Sequence, residues 1–288
     1  YPADLHWSLW TYGGATLCCV LAARQLQAWP RLQDWTHAAA LHLFTLTVWA
    51  ELRWWLHDGN IFAAAYTPIE AGLNTCIFGA LALVYYWREN FTQQLAALYR
   101  CYSLILLALS AASWLGILIA VRESLPWLDT AISDTWLFNS MLLLFGGPTL
   151  LAWALSRWYL PATRTAARWL TAMTAFIFIS LQIRHFWQQS ISLLLPTGAA
   201  ELYTYSAVWL LLAVIAILGG AWRFGRNCYR GGMLLLLLVL AKLFLVDLSD
   251  LEGLLRVASF LGMGLGLLGV AYLHRRLGDT QQPGTAPL

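Results

Sequence analysis

Charge is what this sequence has least of. Only 11% of its 288 residues are Asp, Glu, Lys or Arg, while 60% are hydrophobic. Soluble domains carry about 25% charged residues. The deficit excludes a surface covered mainly by water, and the mean hydropathy of +0.63 agrees. Lipid is the solvent such a surface fits. Signals for several chemistries are missing as well. No Cys/His spacing matches a metal site, no Gly-rich phosphate loop precedes a helix, and no nucleophile elbow is present. The polar connections are too short for an ATPase domain, so no metal and no cofactor is expected. The five cysteines fall within or beside apolar segments, at Cys18, Cys19, Cys76, Cys101 and Cys228. That pattern implies no disulfide framework. The chain starts at Tyr1 without Met or a signal-peptide pattern, and is read as the C-terminal part of a longer membrane protein.

Apolar length is abundant. A spanning helix needs roughly 20 mostly apolar residues. Nine segments qualify, over about 5–23, 36–55, 70–87, 99–120, 136–156, 166–186, 204–222, 231–247 and 254–273. The expected fold class is therefore all-α, a polytopic integral membrane helical bundle with about nine transmembrane helices. Residues 1–277 form the membrane domain, and the Pro/Gly-rich 278–288 a disordered cytoplasmic tail. The 17 tryptophans suit a membrane interface, where a ring is apolar at one end and wet at the other.

Orientation follows from the arginines. The loops after the first, third, fifth and seventh segments, with the tail, hold 12 of the 17 Lys and Arg residues, among them Arg24, Arg88, Arg157 and Arg223. By the positive-inside rule the C-terminus is cytoplasmic and Tyr1 lies outside. These arginines need no nucleic-acid partner. The chain also repeats weakly. Trp49-Ala50-Glu51-Leu52-Arg53-Trp54 lies 133 residues before Gln182-Ile183-Arg184-His185-Phe186-Trp187. Tyr66-Thr67 precedes the third segment as Tyr203-Thr204 precedes the seventh. Two parallel four-helix repeats, 1–121 and 134–248, with a final helix at 254–273, are the expected arrangement.

Three polar clusters share the outer side in this topology. The first runs from Lys242 through Asp247, Ser249, Asp250 and Glu252 to Arg256. Ser249 and Glu252 fit a capping box. Lys242 sits five residues inside its span, within snorkelling reach of the interface, with Asp247 and Arg256 as its expected environment. An intramembrane charge is a functional candidate by default; the plainer reading is a network pinning a helix hairpin. Gly262, Gly264 and Gly266 are expected to admit a close helix neighbour. The second cluster is Gln182, Arg184, His185, Gln188 and Gln189, followed by Glu201, Tyr203, Tyr205 and Ser206. Here Arg184 and Glu201 are candidates to pair, and His185 to transfer protons. The third is Glu51, Arg53, His57, Asp58 and Glu70. Glu51 and Arg53 do not share a helix face, so each is expected to bond to another element. The candidate substrate-binding set is Lys242, Asp247, Arg256, Arg184, His185, Glu201, Tyr205 and Glu51, in one polar cavity rimmed by Trp.

Glu201-Leu202-Tyr203-Thr204-Tyr205-Ser206, Trp209-Leu210-Leu211, Lys242-Leu243-Phe244-Leu245-Val246-Asp247-Leu248-Ser249, Leu251-Glu252-Gly253-Leu254-Leu255-Arg256, Ser259-Phe260-Leu261-Gly262 and Tyr272-Leu273 carry a resemblance. The stretch from about Arg184 to Arg275 resembles the large bacterial predicted membrane protein family called domain of unknown function twenty-three thirty-nine. The first half matches in hydropathy and aromatic style. The resemblance implies a multi-spanning protein, often longer than this chain, and carries no activity over to it.

Three functions fit these features. One is a transporter or flippase-like protein of the bacterial inner membrane, handling a lipid-linked glycan or other envelope component. Another is a membrane scaffold binding partner proteins. The third is a periplasm-facing enzyme acting on lipid-linked substrates, with Glu51, Asp58, His185, Glu201 and Asp247 as acids and bases. Membrane lipids are expected partners in all three.

Overall fold

A computed structural model of the chain describes residues 6–129, 139–243 and 245, and the single positions 261, 264, 265, 268, 269 and 272. All regular structure among the described residues is helical. The chain divides into two compact units, Tyr1–Leu195 and Pro196–Leu288.

The first unit opens with a π-turn, Leu9–Gly13, that runs into α1, Gly14–Gln25. Next come α2 (Pro30–Leu56), α3 (Pro68–Glu89), α4 (Ala96–Arg122) and a single turn, α5 (Pro126–Asp129). A second π-turn, Leu142–Gly146, leads into α6 (Gly147–Trp158). The short 3-10 turn Pro161–Thr163 then leads into α7 (Arg164–Gln188). Proline starts several of these helices because its fixed φ suits the first turn and its missing N–H would be unsatisfied there anyway. At α3 the start is reinforced: the Thr67 hydroxyl accepts from Glu70 N at 3.1 Å.

In this unit α3 packs along α4, α6 along α7, and α1 along α2. One apolar core joins Trp114, Ile117 and Val121 of α4 to Leu144 and Phe145 of the second π-turn and Leu181 of α7. Another joins Leu81, Ala82 and Tyr85 of α3 to Tyr99 and Leu106 of α4 and to Leu95 just before it. Small polar residues let the backbones approach. Ser103 donates to the Ala82 carbonyl at 2.8 Å and lies 2.9 Å from the Tyr159 hydroxyl. Ser110 donates to the Thr75 carbonyl at 2.6 Å. Buried hydroxyls satisfied in this way are a means of joining helices where lipid removes the hydrophobic drive.

The second unit holds α8, Ala199–Gly219, a third π-turn, Gly220–Phe224, and α9, Arg226–Lys242. Gly225, at φ 82°, makes the turn between them, a conformation glycine adopts without a Cβ clash. The two helices touch through glycine. A Cβ on Gly232 would stand 2.7 Å from Ile217 N, and one on Gly220 would run into the backbone of Tyr229. The close approach expected at Gly264 is not found: nothing among the described residues lies within 4 Å of its Cβ position. Gly262 and Gly266 lie outside the described residues.

A helix covers each of the first eight expected segments, wholly or in part. Among the described residues, four stretches are long and apolar enough to cross a membrane: Pro68–Glu89, Ala96–Arg122, Pro161–Gln188 and Ala199–Arg223. The other four fall short for visible reasons. The first and fifth are divided between a π-turn and a 12-residue helix. The second is diluted by Thr36, His37, His42, Thr45 and Thr47, and α9 has 17 residues. Most of the ninth segment lies outside the described residues.

The contact at Gly220 yields a prediction. Gly220→Ala places its methyl against rigid backbone, so it is expected to destabilise α8–α9 by about 1–3 kcal/mol. Gly79→Ala meets only the movable Leu151 side chain, and is expected to cost less. Thermal unfolding of the two variants in the same detergent compares them.

Candidate functional site

Among the described residues of the first unit, the most heavily buried charge is Glu70, whose relative exposure is 0%. It is the third residue of α3 and sits on the positive end of that helix, which favours a carboxylate. In a capping box the acid at this position turns back to the N-cap backbone. Here Thr67 supplies its half of the box, but the Glu70 carboxylate goes elsewhere. Arg53 Nη1 donates to Oε1 at 2.9 Å, and His57 Nε2 lies 2.9 Å from Oε2. Arg53 and His57 are four apart, at the last turn of α2 and just past it, so they face α3 together. Arg53 also donates through Nη2 to the Ala63 carbonyl, and its guanidinium lies 5.8 Å from the Trp49 ring centroid. Asp58, at φ 48°, and Gly59, at φ 90°, turn the chain out of α2.

Glu51 points away from this group. It meets His6 Nε2 at 2.8 Å and accepts from the Ser8 hydroxyl at 3.1 Å. His6 stacks on Trp54 with centroids 4.4 Å apart. Glu51 and Arg53 thus bond to different elements, as their two-residue spacing requires. Asp58 belongs to the turn rather than to the carboxylate's partners. Glu70, Arg53 and His57 are the stronger constellation, although only Glu51 of that cluster was expected to bind substrate. The Thr67–Glu70 spacing was a readable signal for Glu70.

At the end of α7, Arg184 and His185 are both buried. Arg184 donates from Nε to the Ser192 carbonyl at 2.7 Å and from Nη2 to the Leu195 carbonyl at 2.6 Å. The guanidinium therefore gathers the loop that follows its helix. Gln189, at φ 53°, caps α7 in the left-handed conformation. Asn139 Nδ2 donates to His185 Nδ1 at 3.4 Å.

In the second unit, Glu201 is buried in the first turn of α8, and the Tyr205 hydroxyl donates to it at 3.2 Å. Lys242, the last residue of α9, donates to the Leu202 carbonyl at 3.0 Å and to the Ser206 hydroxyl at 2.7 Å. An ammonium thus ties the end of α9 to the start of α8. Ser206 joins the candidate residues through this bond. Asp247 and Arg256, expected beside Lys242, lie outside the described residues.

The geometry can bind and hold charge. Glu51, Glu70 and Glu201 each have a hydrogen-bond donor, and Arg53 and Arg184 grip backbone carbonyls. Removing one partner of a buried pair leaves an uncompensated charge, at about 3–5 kcal/mol. Arg53→Ala is expected to cost that much. Arg100→Ala breaks the pair with Glu89, in which Arg100 is solvent-exposed, and is expected to leave stability near wild type. Replacing Arg53 and Glu70 together by Met and Leu is expected to recover most of the single-variant loss. Denaturation in detergent measures all three.

No curated protein and no solved structure matches the chain. One family does, and its match includes the first half as well as the stretch from Arg184 onward. The buried charge pairs lie among apolar helices that lipid would cover, and the chain belongs to the family described as Predicted membrane protein (DUF2339), matched over residues 2–277.

Proposed function

We propose that the chain is a nine-span protein of the bacterial inner membrane that handles a polar envelope component in the manner of a transporter or flippase. In this reading two parallel four-helix copies precede a final helix, the C-terminus is cytoplasmic, and the polar clusters face outward.

One observation carries the proposal: local features recur at two nearly equal spacings, 133 residues in the first part of each copy and 131 in the rest. The helical stretches that open at Pro30 and Pro161 begin 131 residues apart. The same interval separates Arg53 from Arg184, the left-handed residues Asp58 and Gln189, and the buried acids Glu70 and Glu201. Each arginine donates to carbonyls of the loop that follows its helix. The π-turns Leu9–Gly13 and Leu142–Gly146 lie 133 apart, and each ends on a Gly-Gly step. Thr16 and Thr149, on the next turn, donate to the carbonyls of Tyr12 and Phe145. The two-residue difference matches a shorter connection in the second copy. Residues 26–29 separate α1 from α2, whereas 159–160 separate α6 from Pro161. The caps therefore revise the 133-residue spacing of the Trp-rich segments to 131.

Parallel repeats place equivalent polar ends on one side of the membrane, and transporters commonly bind substrate at a repeat interface. Glu51, Arg184 and His185 in the first unit, and Glu201, Tyr205 and Lys242 in the second, supply charged and hydrogen-bonding groups suited to a polar substrate. Asp247 and Arg256 complete the proposed set. A lipid-linked glycan, with an anionic linkage and many hydroxyls, suits these donors and acceptors.

The test uses the full-length protein. Gentle purification followed by mass spectrometry of co-purifying lipids and glycans is expected to reveal one defined envelope component. It should be lost in a Lys242→Ala/Arg184→Ala variant that remains folded at the purification temperature, and kept by an Arg53→Ala variant destabilised to a similar extent. Bulk phospholipid alone in both proteins would overturn the reading and favour a scaffold. A chemically altered component released by wild type would favour the enzyme.

A further inference from the structure

A groove of about 340 Å³ opens in the first unit between the end of α3 and the end of α6, at the opposite end of α3 from Glu70. It is lined by Leu83, Val84, Tyr86, Trp87, Asn90 and Trp158. Its volume falls in the range of small-molecule sites, about 300–1,000 Å³. Trp87 and Trp158 are 60% and 63% exposed, which is costly in water but ordinary at a lipid interface.

The two banks are built alike. On one, Trp158 meets Trp153 edge-on with centroids 5.6 Å apart, and the Arg157 guanidinium lies 5.8 Å from the Trp153 ring. On the other, Trp87 and Phe91 lie 4.5 Å apart, and the Arg88 guanidinium lies 5.8 Å from the Phe91 ring. Cation–π contact holds each arginine beside its aromatic pair. Neither forms an ion pair with a described acid: Glu89 is taken by Arg100, and Arg88 has the Tyr99 hydroxyl beside it and the Asp34 carboxylate farther off. An apolar floor between two positive banks is complementary to one membrane constituent, an acyl chain joined to an anionic head.

We propose that this groove is a binding site for an anionic phospholipid. One acyl chain lies along Leu83, Val84 and the faces of Trp87 and Trp158. Arg88 and Arg157 take the phosphate-bearing headgroup, with Asn90 as a hydrogen-bonding partner. Basic pockets between membrane helices recognise anionic headgroups by the same chemistry. The inference rests on the membrane setting of the chain and is independent of any transported substrate.

The test is native mass spectrometry of the full-length, delipidated protein titrated with phosphatidylglycerol or phosphatidylcholine. Wild type is expected to bind one phosphatidylglycerol at least tenfold more tightly than phosphatidylcholine, each arginine contributing about fivefold. Arg88→Gln/Arg157→Gln is expected to remove that preference. Val84→Trp, which fills the groove from an exposed position, is expected to weaken both lipids. Arg24→Gln/Arg31→Gln, which removes two exposed arginines elsewhere, is expected to change neither. Equal binding of the two lipids by wild type would overturn the proposal. So would a preference that survives Arg88→Gln/Arg157→Gln, or one that falls equally in Arg24→Gln/Arg31→Gln. If the arginine variant fails to fold, Val84→Trp decides alone, and unchanged binding by it overturns the site.

Discussion

A carboxylate with no exposed surface has to be neutralised where it stands, and Glu70 is the clearest case in the chain. Its two oxygens are met by Arg53 and His57, and its helix position adds the positive end of α3. That single requirement fixes several things together. The end of α2 must face the start of α3, the connection must turn sharply at Asp58 and Gly59, and Ala63 must present its carbonyl to Arg53. Apolar packing alone would let α2 slide or rotate against α3, because lipid and leucine are nearly equivalent solvents for a leucine side chain. The charge removes that freedom.

The same economy recurs where the chain leaves α7 and where α9 returns to α8. Arg184 gathers the carbonyls of Ser192 and Leu195, and Lys242 binds the first turns of α8. Lys242 is the only lysine in the sequence. In each case a cation organises helix ends, the places where backbone groups lack partners within the helix. Few charges are present, and those described at helix ends carry much of the specificity that hydrophobic patterning does not provide.

How far the sequence could be read follows from this division. Helices cover the first eight segments that apolar length marked, wholly or in part, but the stretches opening at Pro30 and Pro161 begin several residues before the expected 36 and 166, because the polar first turn carries no apolar signal. The divergence of Glu51 from Arg53 was legible too, since two residues on a helix point about 200° apart. The partners themselves were not. Nothing near Arg53 in sequence says that it reaches Glu70 rather than Asp58, because that choice depends on how α2 and α3 cross. The left-handed residues Asp58 and Gln189 are not glycines, so their conformation carries no compositional mark. Hydropathy also saw nothing of the π-turns, which leave the apolar content of a segment unchanged.

Those π-turns alter phase rather than composition. A residue inserted into an α-helix advances the following side chains by about 100°, so a stripe that faces one neighbour before the turn faces another after it. At Leu142–Gly146 the turn itself places Leu144 and Phe145 in the core shared with α4 and α7, while Leu150, on the α-helical turn that follows, points out at 69% exposure. A continuous apolar run can therefore serve two different packing surfaces in succession without a break in its hydrophobicity.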